Sequence, residues 1–99
     1  MKENAGKSTK TLQVSCVQMH WAKPIVFNLQ RTLHYIKEAS QYGSRVVLFP
    51  EANLTSYYFP YLVNLQQTAI DQALDQVCQA AAQNQIWVIV GTIPGTGER

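Results

Sequence analysis

The chain has 99 residues, enough for one small domain or part of one. Apolar residues make up 46% and charged residues only 14%, against roughly 25% charged in a typical soluble domain. The net charge of +2 comes from the first eleven residues alone, because the remainder carries five basic and five acidic side chains, and this balance excludes a clustered cationic face for nucleic acid.

Residues 1–11 read as a disordered polar tail ahead of a domain over 12–99. The sequence "AGKST" at 5–9 resembles the end of a phosphate-binding loop, but the first glycine of that pattern and the strand before it are missing. No apolar leader or membrane-length run is present, so no membrane partner is expected. Cys16 and Cys78 lie far apart and form no Cys-x-x-Cys pair, which suits a reducing, cytoplasmic setting.

The stretch "LQVSCVQM" (12–19) alternates Leu12, Val14 and Cys16 with Gln13 and Ser15, the pattern of a strand buried on at least one face. Pro24 then opens a helix whose apolar stripe holds Val26, Leu29, Leu33, Ile36 and Ala39, with Arg31 pointing elsewhere and Gly43 as its stop. "RVVLF" (45–49) is a short, continuous apolar run, expected to be a strand covered on both faces. Pro50 ends it, since proline donates no ladder hydrogen bond.

A loop of about 15 residues follows, long enough to suggest a function. Thr68 is expected to cap a second helix, with Asp71 three residues later and a stripe of Ile70, Leu74, Val77, Cys78 and Ala81. "IWVIVGTI" (86–93) reads as a third strand, and "GTIPGTG" (91–97) as a hairpin turn rather than a dinucleotide loop. The order β-α-β-α-β predicts an α/β fold with parallel strands and right-handed crossovers.

Ligands of such sheets gather beyond the carboxyl ends of the strands. Glu51 stands at one of those ends, directly after an apolar strand. A charge placed there costs free energy unless it is paired or used. Tyr57 and Tyr58 in the following loop are candidates for a pocket wall, or they simply pack the loop down, and His20 at the end of the first strand is a third candidate for the pocket. His20 and His34 lack the companions that a metal site requires, so no metal is expected. Both cysteines fall on apolar faces and read as buried, inert thiols.

The run "VVLFPEANLTSYYF", with "LQVSCVQMHW" before it and "IWVIVGTIP" after it, resembles the amino-terminal part of the nitrilase, or carbon-nitrogen hydrolase, superfamily. The likeness covers 12–94, including Gln18-Met19, Asn28-Leu29 and Gly91-Thr92, and its specific part is Pro50-Glu51. It implies the front portion of an α-β-β-α sandwich. It also implies hydrolysis of an amide or carbamoyl amide, less often a nitrile, without a cofactor. In that family's Glu-Lys-Cys triad the general base would be Glu51, with the lysine and cysteine beyond Arg99. The chain alone is then expected to be inactive, and the whole protein to be a homo-oligomer. Members commonly carry glycine where Ser56 stands. Two rival classes remain open: a noncatalytic α/β interaction module in which Glu51 is structural, and a nucleotide-binding α/β enzyme, which would need a phosphate loop that neither glycine cluster supplies.

Overall fold

A computed structural model of the chain describes residues 10–22 and 24–96; the expected tail, with its "AGKST" stretch, lies outside them apart from Lys10 and Thr11. In chain order the elements are β1 (Val14–Cys16), α1 (Ile25–Gln41), β2 (Val46–Leu48), α2 (Phe59–Leu62), α3 (Gln67–Asn84) and β3 (Trp87–Ile89). The strands form one parallel sheet in the order β1-β2-β3, with Val14 opposite Val46 and Val46 opposite Trp87. The α/β class and the parallel pairing are those expected from the sequence. The addition is α2, a single turn inside the long loop, started by Pro60 near its N-terminus.

Strand order fixes where the helices go. Two right-handed crossovers that step in the same direction place both connecting helices on one face of the sheet. Accordingly α1 and α3 pack on each other and over the sheet. The core lies between them, built around Ile36, Val47, Leu54 and Phe49, and a smaller cluster of Leu62, Leu65 and Ile70 extends it beneath α2.

The sheet's other face is open, and this corrects the reading of β2 as covered on both faces. Val47 is fully buried, yet its neighbour Leu48 is 40% exposed. The expected inward face of β1 is reversed for the same reason. Ser15 and Val17 turn toward the helices, while Val14 and Cys16 are exposed on the open side with Trp87 and Ile89. Ser15 is satisfied there by a hydrogen bond with the Ser44 hydroxyl. Cys78 is exposed on α3, so neither thiol is the buried group that periodicity suggested.

Helix ends follow partly different chemistry from that expected. Gly43 does stop α1: at φ +91° it takes a left-handed conformation that glycine adopts freely, and Ser44 N–H donates to the Ala39 carbonyl at 3.0 Å. Thr68 does not cap α3. Gln66 occupies that position without a side-chain cap, and Asp71 instead accepts a hydrogen bond from Gln67 Nε2 at 2.9 Å. Through Thr96 the expected hairpin makes no turn. Residues 91–96 run back along the start of α3, where Thr96 bridges Gln66 in parallel fashion. Gly95 N–H donates to Gln67 Oε1 at 2.8 Å, and a side chain at Gly95 would collide with that segment. No helix among the described residues is long and apolar enough to cross a membrane.

Candidate active site at the carboxyl end of the sheet

The site begins where the β2 ladder ends. Phe49 N–H still donates to the Ile89 carbonyl at 2.9 Å, and Pro50 then has no donor to offer. Glu51 follows and is exposed, whereas the next five residues, 52–56, are all buried. A buried loop must satisfy its backbone groups internally. This one does so with Leu54 N–H to the Gly91 carbonyl at 3.1 Å, Ser56 N–H to the Ala52 carbonyl at 2.8 Å, and Ile93 N–H to Thr55 Oγ1 at 2.9 Å. The carboxylate is therefore displayed from a fixed platform.

Two features of that platform explain residue choices. Gly91 passes so close to the loop that an added Cβ would stand 2.8 Å from the Ala52 amide nitrogen. Ala52 and Ser56 both have left-handed backbones, at φ +53° and +67°. A non-glycine residue there costs about 1–2 kcal/mol. Ser56, the position where the resemblance leads one to expect glycine, thus keeps a glycine-like conformation. Its hydroxyl accepts a hydrogen bond from Tyr58 N–H at 3.2 Å.

Helix α1 ties the platform to the segment after β1. Asn28 is fully buried; its Oδ1 accepts from Ala22 N–H at 2.7 Å and its Nδ2 donates to the carbonyls of Ala22 at 2.8 Å and Leu54 at 3.0 Å. One side chain therefore holds both the 20–22 segment and the Glu51 loop. Arg31, off the apolar stripe as expected, is half-buried and donates from Nη2 to the His20 carbonyl at 2.6 Å. Asn53 Nδ2 donates to Thr32 Oγ1 at 2.7 Å as a second tie between α1 and the loop. The periodicity of α1 contained this signal: Asn28 and Thr32 fall on its buried stripe, where a polar side chain needs a partner.

Of the aromatic candidates, Tyr57 and Tyr58 are both exposed, and Tyr58 also caps the start of α2. The Tyr57 hydroxyl hydrogen-bonds Glu51. That bond, together with desolvation and the nearby negative charge, holds the phenol above its ordinary value of 10.0. The neutral phenol is the favoured partner, so whatever stability the pair adds is fully present below the ordinary tyrosine value and fades as pH rises through the raised one. An ultraviolet pH titration is expected to show one late-ionising tyrosine, which Glu51→Gln returns toward the ordinary range. His20 lies across from Pro50 in a cavity of about 450 Å³ whose other walls are Gln18 and Met19. The structure thus gathers Glu51, Tyr57 and His20 at one end of the sheet, on segments clamped by α1.

A sequence model of the family described as carbon-nitrogen hydrolase matches residues 13–99. A cyanide hydratase of Penicillium rubens is 31% identical over 88 residues, a match that covers 71% of this chain and 25% of the hydratase. The chain thus spans about a quarter of the length of the curated relative it resembles. With the family match running from β1 through Pro50-Glu51 and on past β3, over a parallel α/β sheet that displays the glutamate at a strand end, the chain belongs to the carbon-nitrogen hydrolase family.

Proposed function

We propose that these 99 residues form the amino-terminal part of a hydrolase that cleaves nonpeptide carbon-nitrogen bonds, with Glu51 as its general base. The observation that carries this reading is an exposed carboxylate held at the carboxyl end of β2, on a buried loop tied to the Gly91 carbonyl and to α1. In the Glu-Lys-Cys scheme, Glu51 takes the proton of a cysteine thiol as the sulfur attacks the amide carbon. A lysine stabilises the negative oxygen that develops. Glu51 then passes the proton to the departing amine, and water, activated by the same carboxylate, opens the thioester.

The nucleophile is neither cysteine of this chain. Cys16 stands opposite Leu48 within the sheet, on the face away from the helices, and Cys78 lies along α3. Lysine and cysteine are assigned to sequence that follows Arg99, within a cytoplasmic, homo-oligomeric enzyme that uses no cofactor. An amide or carbamoyl amide is the default substrate. A nitrile is the second reading, favoured by the printed name of the relative, a cyanide hydratase.

The test compares the 99-residue chain with the polypeptide that continues beyond it, on simple amides and nitriles. The longer polypeptide is expected to turn over and to carry an acyl adduct visible by mass spectrometry, while the short chain does neither. Turnover by the short chain that disappears in Glu51→Gln would show that the whole chemistry resides here, against this assignment.

A further inference from the structure

At the end of the first strand, two voids share a wall, and one of them reaches Pro50. The first, about 450 Å³, is lined by Gln18, Met19, His20 and Pro50; the second, about 390 Å³, by Met19, His20 and Trp21. Met19 and His20 line both, so these two side chains stand between the void that reaches Pro50, the residue before Glu51, and the one that reaches Trp21. The partition is preorganised. Arg31 holds the His20 carbonyl at 2.6 Å, and the Asn28 amide holds both the N–H and the carbonyl of Ala22. Because the clamps grip main-chain atoms, the side chains of Met19 and His20 can change without removing them.

Cyanide has two heavy atoms and needs no such space. Small-molecule sites of about 300–1,000 Å³ receive organic ligands, gripped by apolar walls and a few polar groups. The wall of the first void has that character: a flexible thioether and a proline ring, with the Gln18 amide and the His20 imidazole as hydrogen-bonding groups. We infer that the first void receives the non-reacting, acyl-side group of an organic amide or nitrile, and that Met19 and His20 determine how long that group can be. The inference rests on the assignment of Glu51 as the base and adds to it the part of the substrate that does not react.

The experiment measures kcat/KM, in the polypeptide that continues beyond Arg99, for straight-chain amides and nitriles of two to six carbons, with cyanide alongside. The parent enzyme is expected to favour the longer members over cyanide. His20→Trp places bulk at an exposed position and is expected to lower kcat/KM for the longest members by about tenfold relative to the shortest, the scale on which a hydrophobic pocket discriminates methylene groups. Met19→Ala joins the two voids and is expected to shift preference the other way, toward longer chains. Because Met19 also packs against the core, His20→Trp keeps the question answerable should Met19→Ala lose stability. Equal changes along the whole series, or a parent enzyme that prefers cyanide, overturn the inference. Glu51→Gln serves as the separate control: activity that survives it defeats the underlying site, whereas a flat length profile with Glu51-dependent turnover defeats the size-determining wall alone.

Discussion

Glu51→Gln, made in the longer hydrolase proposed above, is expected to lower kcat by about 10²–10⁴-fold, the range that a positioned general base contributes. Glutamine is nearly isosteric, Glu51 is exposed, and the hydrogen bonds that hold residues 52–56 do not involve its side chain, whose partner is the exposed Tyr57, so the fold should persist. What disappears is a group that can accept the thiol proton and return it to the leaving amine. KM should change far less than kcat, since the proton moves only in the reacting complex. Equal melting temperatures with a collapsed kcat, measured side by side, identify a chemical defect. Unchanged kcat would leave Glu51 as a structural carboxylate and return weight to a noncatalytic module.

The second large effect falls on stability. Asn28→Ala removes three short hydrogen bonds at once and strands the Leu54 carbonyl inside the protein, with the Ala22 N–H and carbonyl at its margin. Leaving one buried polar group unpaired costs about 1–3 kcal/mol, and the joint loss here is expected to reach about 2–4 kcal/mol. A whole domain commands only about 5–15 kcal/mol. Urea denaturation should show the midpoint falling without a comparable change in slope. The Ala22 amide should lose protection in hydrogen exchange well before the strand amides do. A midpoint within experimental error of the parent would mean that the loop and the 20–22 segment hold together without the Asn28 clamp.

The sequence revealed the order of strands and helices along the chain, both long helices and the place of Glu51 after the second strand, because each rests on local signals: apolar runs, helical spacing, and a proline that ends a ladder. It did not reveal which side of the sheet is covered. The valines and leucines of β1 and β2 look alike whether a helix or nothing lies over them, and only the direction of the two crossovers decides. Hence Leu48 and Cys16 were placed inside and stand outside. The clamp around Asn28 was half legible. A polar residue on a buried stripe announces that it has a partner, but the partners, Ala22 and Leu54, depend on tertiary approach. The partner of Arg31 was hidden for a related reason: its long side chain reaches back over the helix start to the His20 carbonyl, beyond what periodicity describes. The positive φ of Ser56 was signalled only by the glycine that members of the family commonly carry there, since serine itself does not advertise it.

The open face of the sheet gives the protein an optical property. Trp87 stands on that face and is 75% exposed, beside Ile89 and Leu48. An indole in water emits to the red of one enclosed in hydrocarbon, so the colour of its fluorescence registers whether this surface is wet. The surrounding patch is apolar, and patches of this kind draw in other surfaces. Whatever comes to lie there would shift the emission to the blue and shield Trp87 from a dissolved quencher. Trp87→Phe separates that signal from the contribution of Trp21, which belongs to the other end of the story, at the rim of the cavity.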